Sequence, residues 1–391
     1  MRKGWEYKKL GEVCEVVTGT TPKTNIPEYW GKGHYWVTPA ELNDTTVYID
    51  KTERQITDEA LSKTKLRLLP VGTVLLSSRA PIGKVAIANA EMYCNQGFKN
   101  CICSEAINNK YLFYFLRLKK DYLNSLGRGA TFKEISKSIV ESIKIPLPPK
   151  STQLAIVSEL DKINELIRLK KEQLKDFDNL AQSLFYEMFG DPVENEKGWE
   201  VKKLDNVCNI TSSKRIFADE YTNTGIPFYR SKEVIERSKG LPISVELFIS
   251  EERYNEIKEK FGVPKIGDIL ITAVGTIGKI WAIDTDNKFY FKDGNLVWLK
   301  DIDNQLANSC FFRRLLEYLI EEYKKTNANG AAYNALTIAK LKLMSCPLPP
   351  LPLQRLFAQR IEQIEREKSE VQKSIQDLET LLASRMQYWF E

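Results

Sequence analysis

Two long stretches of the chain share one apolar spacing. Ile156, Leu160, Ile163, Ile167, Leu174, Phe177, Ala181, Leu184 and Met188 follow one another at steps of four and three, with Lys170 in the single polar place. The same frame returns 201 residues on (156 to 357) at Phe357, Ile361, Ile364, Val371, Ile375, Leu378 and Leu382, with Lys368 and Arg385 in polar places. The remaining positions are mostly Glu, Lys, Gln, Asp and Arg. Alternation of four and three marks the a and d seam of a coiled coil. About 36 residues at 1.5 Å each make a rod of roughly 54 Å. A globule of about 150 residues cannot cover so long a face, so the two helices are expected to cover each other. A globule separates them along the chain, which makes an antiparallel pairing the natural one. The alternative is that each helix packs along its own globule.

The rest of the chain is also duplicated. Gly4-Trp5-Glu6-Tyr7-Lys8-Lys9-Leu10 returns as Gly198-Trp199-Glu200-Val201-Lys202-Lys203-Leu204, and Ile145-Pro146-Leu147-Pro148-Pro149 as Cys346-Pro347-Leu348-Pro349-Pro350. Four segments follow: a globule over 1–150, a helix over 151–189, a second globule over 190–349 and a second helix over 350–391. Gly190-Asp191-Pro192 is a breaker between helix and globule. Within each globule the pattern is mixed α/β. Gly72–Ser77 and Gly267–Thr272 read as strands, and Ile82-Gly83-Lys84 and Ile277-Gly278-Lys279 each read as a turn entering a strand. Amphipathic helices are expected over Asn109–Tyr122 and Asn308–Tyr323. The expected fold is therefore α+β, with two similar domains, two long helices forming an antiparallel coiled coil, a pseudo-twofold relation and a nearly circular course.

Composition narrows the chemistry. Hydrophobic residues make up 43% of the 391, enough for real cores. No apolar run is long enough for a transmembrane helix and the N-terminus lacks a signal-peptide core, so a cytoplasmic protein is expected. Seven cysteines include the repeat-equivalent Cys14 and Cys208, which read as buried small hydrophobes. Cys94, Cys101 and Cys103 lack the paired spacing and fourth ligand of a zinc site. One histidine, His34, leaves little room for Ser-His-Asp catalysis or a His-based metal site. No phosphate-binding loop accompanies Gly83-Lys84 or Gly278-Lys279. No catalytic residue, metal or cofactor is therefore expected on this chain. The net charge of +5 is modest for a nucleic-acid binder, though acidic residues on the helices would leave the globules more basic.

The ordered set of motifs resembles a known family. The Gly-Trp-Glu-x-Lys-Lys-Leu opening, the Gly225-Ile226-Pro227-Phe228-Tyr229-Arg230-Ser231 segment, the Ile-Gly-Lys turns and Asn95-Gln96-Gly97 belong to it. So do the Pro-Leu-Pro-Pro marker followed by Gln153 or Gln354 and the Met188-Phe189-Gly190-Asp191-Pro192 linker. Together they resemble the specificity subunit of a Type I restriction-modification system, over essentially the whole chain in two copies. The resemblance implies two target recognition domains, each reading half of a split sequence in double-stranded DNA. It implies helices that act as a ruler and dock two methyltransferase subunits, which restriction/motor subunits then join. S-adenosylmethionine, ATP and magnesium would belong to those partners, and neither a membrane nor a small-molecule substrate is implied. The second copy departs at Lys292-Asp293-Gly294, where the first has Asn95-Gln96-Gly97, so only the fold role carries over there.

Between the shared motifs the loops differ. Thr20–Asn25 faces Ser212–Phe217, and Val37–Leu42 aligns with Tyr229–Val234. Like frames with unlike loops imply two different half-sites, hence an asymmetric bipartite target. Lys, Arg, Ser, Thr and Asn in loops can hold phosphates, and Arg or Asn can read base edges. The first-domain candidates are Lys23, Thr38, Ser78, Arg79, Lys84, Arg128 and Lys133. The second-domain candidates are Lys214, Arg215, Arg230, Lys232, Lys279, Asn329 and Asn334. The bland reading of each cation is a solvated surface charge. Tyr35-Trp36 and Phe228-Tyr229 alternate with apolar neighbours and are expected in the core. A rod of roughly 54 Å exceeds one duplex turn of about 34 Å, so the bases between half-sites would count by number alone. Two other classes stay open: a duplicated coiled-coil adaptor that binds no DNA, and a methyltransferase or nuclease fused to its own reader. The latter should carry an Asn/Asp-Pro-Pro-Tyr/Phe motif or an acidic metal cluster, and neither is visible.

Overall fold

The computed structural model describes residues 5–79, 81–129, 133–326 and 335–391. The chain forms two compact units, Met1–Glu172 with Gln372–Glu391, and Gln173–Val371.

In the first unit a five-stranded sheet runs in the order Cys14–Thr18, Lys99–Cys103, Val74–Leu76, Val85–Ala88, Tyr48–Ile49. Alternate residues of its inner strands serve two different cores, as the period of two along a strand requires. Val74, Leu76, Val85 and Ile87 face the helix Asn109–Leu118, where they meet Tyr111, Leu112 and Phe115. Leu75, Ala86 and Ala88 face the other way, into a cluster with Val37, Met92 and Phe98. A three-stranded sheet (Gln55–Ile56, Trp30–Val37, Tyr93–Cys94) lies beyond, and the pair Glu6–Lys9 with Lys144–Leu147 joins the two ends of the repeat. The second unit repeats this order. Asn209–Thr211, Leu296–Lys300, Ile269–Thr272 and Ile280–Ala282 form its main sheet, and Glu200–Lys203 pairs with Ser345–Leu348. Again Ile269, Ile271 and Ile280 enter the core with the helix Ser309–Thr326, while Leu270 and Trp281 enter a second one.

Two unbroken helices of 40 residues, Lys150–Phe189 and Leu351–Phe390, each run from one unit's residues into the other's. Gly190, at φ 75°, ends the first with its N–H on the Tyr186 carbonyl at 2.8 Å. In the first unit Arg385 and Trp389 donate to Glu159, and Lys171 pairs with Glu379 at 2.7 Å. In the second, Lys368 pairs with Asp178 at 2.8 Å, and Phe357 packs against Phe185 and Phe189. In each unit one residue number rises as its partner's falls, so the helices are antiparallel. Ile156, Leu160, Ile163, Ile167, Leu184, Phe357, Ile361, Ile364, Val371 and Ile375 are buried, and Leu174, Phe177, Leu378 and Leu382 are half-buried. The chain end returns to its start: Trp389 stacks on Trp5, and Phe390 packs on Tyr111.

One expected helix is shorter. The pattern over Asn109–Tyr122 breaks after Leu118 and restarts at Lys120, with Lys119 at φ −85°, ψ 15°. Leu123 is fully buried beyond the break. Tyr35 is half-buried, while Trp36, Phe228 and Tyr229 lie in the core.

Candidate nucleic-acid interface

In each repeat the loops that differ in sequence converge on one tight turn. In the first it is Asn95-Gln96-Gly97. The Asn95 N–H donates to the Val37 carbonyl at 3.2 Å, and the Ser78 N–H to the Gly97 carbonyl at 2.7 Å. The Thr21 hydroxyl donates to Gln96 Oε1. Gly19 is needed for this approach, since a Cβ there would lie 1.9 Å from the Asn95 carbonyl oxygen. The loops 19–25, 37–39 and 77–79 therefore meet around 95–97.

The second repeat builds the same junction from other residues. The Lys292 N–H donates to the Tyr229 carbonyl at 2.9 Å, and the Ala273 N–H to the Asn295 carbonyl at 2.8 Å. Arg215 Nε donates to Asp293 Oδ2 at 2.8 Å, across the place where Thr21 meets Gln96. The departure at Lys292-Asp293-Gly294 thus exchanges a neutral contact for an ion pair while the backbone course persists.

Two small frames are duplicated. Gly83 and Gly278, at φ 88° and 80°, donate to the Ser77 and Thr272 carbonyls. The next amides, of Lys84 and Lys279, donate to the Ser77 and Thr272 hydroxyls at 2.9 Å each. Glu41 and Glu233 each reach back three residues to accept an amide, from Thr38 at 2.6 Å and from Arg230 at 2.7 Å.

The sequence candidates fall into distinct places. Lys23, Arg128 and Lys133 are exposed, and Lys84 donates its ammonium to the Pro39 carbonyl at 3.0 Å, beside Thr38. The Thr38 hydroxyl is engaged with Glu41. Ser78 is a correction: it is fully buried, accepts from Lys99 Nζ at 3.3 Å and has no surface for a phosphate. It drops inside because its strand neighbours put it between the 95–97 turn and Ile135, whose N–H it accepts at 3.0 Å. Arg79 pairs with Glu134 through Nε at 2.8 Å. Lys214 is exposed, with its ammonium 5.2 Å over the Phe261 ring. Arg230 and Lys232 share Glu246, whose carboxyl their hydrogen bonds pull down to about 2, Lys232 contributing most. Arg230 also pairs with the buried Glu233. Lys279 is half-buried, and Asn329 and Asn334 lie outside the described residues.

Sequence reasoning missed the acids. Glu134, Asp293 and Glu246 each hold one or two of the candidate cations. A usable signal was Lys99, a lysine at the head of the strand Lys99–Cys103, whose other residues carry no charge.

Comparison with known proteins agrees with this duplicated architecture. Residues 2–176 and 196–380 each match the Type I restriction modification DNA specificity domain. The chain belongs to the family of Type I restriction-modification specificity subunits. Its sequence is 32% identical to the Type I restriction enzyme MjaIX specificity subunit of Methanocaldococcus jannaschii, over 97% of this chain and 91% of that one. A solved chain from work on complex assembly and conformational transition of the type I R-M system shares the fold, with a TM-score of 0.68, 22% identity, and 99% and 97% of the two chains covered. So does the crystal structure of the S subunit from M. genitalium, with a TM-score of 0.51, 17% identity, and 99% and 96% covered. Specificity subunits of this family are non-catalytic, which makes this chain a recognition component and not an enzyme. No helix among the described residues is long and apolar enough to cross a membrane.

Proposed function

We propose that this chain recognises an asymmetric, bipartite sequence in double-stranded DNA, one half through each repeat, and carries the methyltransferase and restriction/motor subunits that act there. The observation that carries this reading is the pair of loop junctions: one backbone frame, built twice, with different side chains at equivalent places. Lys23, Arg79, Lys84, Arg128 and Lys133 in the first repeat, and Lys214, Arg215 and Lys279 in the second, supply the contacts, with Thr38 beside Lys84. Arg230 and Lys232 shape their loop through Glu246. The domain boundaries follow the repeat, with recognition domains over 1–150 and 190–349 and helices over 151–189 and 350–391.

Each helix of 40 residues is about 60 Å long. The reading makes that length the ruler for the spacer between half-sites. Large apolar side chains on the helices support a docking role: Leu166 is 48% exposed, Leu169 46% and Leu180 51%. A soluble, cytoplasmic assembly that meets DNA there completes the reading; S-adenosylmethionine, ATP and magnesium serve the partners.

Selection from a duplex pool with two randomised tracts tests it. The full chain should enrich two unlike half-sites at a set spacing. Adding one heptad to both helices, about 10 Å, should lengthen the accepted spacer by about three base pairs. Enrichment of no sequence, or an unchanged spacer in the lengthened chain, would overturn the respective part.

A further inference from the structure

Lys99 heads a strand whose first three residues are buried, and it is 5% exposed. Taking an ammonium out of water is costly unless it is well paired. Its Nζ donates to Glu134 Oε1 at 3.0 Å and to Ser78 Oγ at 3.3 Å. The other oxygen of Glu134 accepts from Arg79 Nε at 2.8 Å. Burial pushes the Glu134 carboxyl up, but the hydrogen bonds from Lys99 and Arg79 outweigh it and hold the group below the ordinary carboxylate range. The backbone locks the same corner. Glu134 bridges Arg79 and Arg128, and Arg128 and Glu134 exchange N–H to carbonyl bonds at 3.0 and 2.9 Å.

Among the described residues, the second repeat builds this corner without charge. Ile135 donates to the Ser78 carbonyl as Leu336 does to that of Ala273, each at 3.0 Å. Ser77 faces Phe98 as Thr272 faces Leu296. The counterparts of Arg79, Lys99 and Glu134 are therefore Val274, Val297 and Ala335. Val297 is buried, while Val274 is 40% exposed.

We infer that Arg79 reads a guanine in the half-site of the first repeat, with Glu134 as the residue that positions it and Lys99 as the buried charge that keeps Glu134 from cancelling it. The inference rests on the DNA recognition proposed above. Glu134 holds Nε, so the two terminal nitrogens, which make no hydrogen bond among the described residues, form a fixed fork. That fork matches the two acceptors, O6 and N7, of a guanine edge in the major groove. With Lys99 the group of three carries a net charge of +1; without it Arg79 and Glu134 would be neutral together, and the carboxylate would face acceptors of like sign. A phosphate would also accept the fork. Phosphate contacts carry no sequence information, however, and give no reason for the corner to be charged in one repeat and apolar in the other.

The test uses the full chain as wild type, R79K and E134Q, each selecting from duplexes with randomised half-sites, followed by salt titration of binding to the selected duplex. Wild type should fix a guanine at one position that R79K stops selecting, with preference there falling roughly tenfold or more. Other positions and the salt slope should stay as they were, because lysine keeps the charge. E134Q should weaken preference at that same position alone, which a merely structural role would not do. Arg79 is 45% exposed at its side chain, so R79K is a surface change that the fold tolerates. An R79K selection identical to wild type overturns the assignment, and equal weakening at every position makes Arg79 a phosphate contact. If wild type selects no sequence, the recognition reading itself fails; if it selects a split sequence that R79K leaves intact, only the Arg79 assignment does.

Discussion

Gln153 and Gln354 sit at the same joint of the two repeats, and each is almost wholly buried. Gln153 accepts the Asn108 N–H at 2.8 Å and donates to the carbonyls of Ala106 and Pro148. Gln354 makes the same three bonds to Asn308, Leu306 and Pro349. One amide side chain thus ties the entry of the domain's helix to the Pro-Leu-Pro-Pro strand and to the first turn of the long helix. Asn108 and Asn308 then cap the helices that follow. Replacing Gln153 with Ala strands the part-buried Asn108 N–H and Ala106 carbonyl and the buried Pro148 carbonyl. A buried polar group left without a partner costs about 1–3 kcal/mol, so Q153A should destabilise the first unit by at least that much. Urea unfolding followed by a probe in that unit checks this. Both glutamines were legible in the sequence as markers following the prolines; their bonding to the helix entry was not, because those partners lie 45 to 48 residues away. The same holds for Ser78 and Lys99. A serine in a loop and a lysine in a strand look alike whether they face water or a buried carboxylate.

The long helices were readable because their signal is local. Apolar residues at steps of four and three state which face is covered over the whole length, and the fold adds only which helix covers it. Polar residues in the seam needed the structure. Lys368 reaches out to Asp178 and Glu365, and Arg385 donates to Glu159 together with Trp389. These hydrogen bonds, from Arg385 first and against the opposing effect of burial, hold the Glu159 carboxyl below its ordinary value. A folded-state value below the unfolded one stabilises the fold above the ordinary carboxylate range, near 4.3. That contribution fades as pH falls through the depressed value. The unfolding midpoint of wild type should therefore exceed that of E159Q at neutral pH, and the gap should close on acidification. A gap independent of pH between 7 and 3 would remove Glu159 as the cause. The break at Lys119 was invisible for the opposite reason: the apolar pattern runs on across it, and only the packing of Leu123 shows where the helix turns.

At the scale of the whole molecule the duplication makes a modular prediction. Exchanging residues 191–349 for the equivalent segment of a relative should replace one half of the selected sequence and leave the other half and the spacer unchanged. Selection from randomised duplexes reads this directly, and a change in both halves would contradict independent readers. The chain's own sequence was sufficient for the repeat, the mixed α/β class, the seam and the family, since each is written in residue order and spacing. It could not say which loops meet at Asn95-Gln96-Gly97, that Glu134 stands between Arg79 and Lys99, or that Glu246 takes up Arg230 and Lys232. Those depend on contacts between residues 14 to 75 positions apart. Side-chain charge is set by composition, but whether it faces a partner or the solvent is decided by the tertiary neighbours that desolvate it.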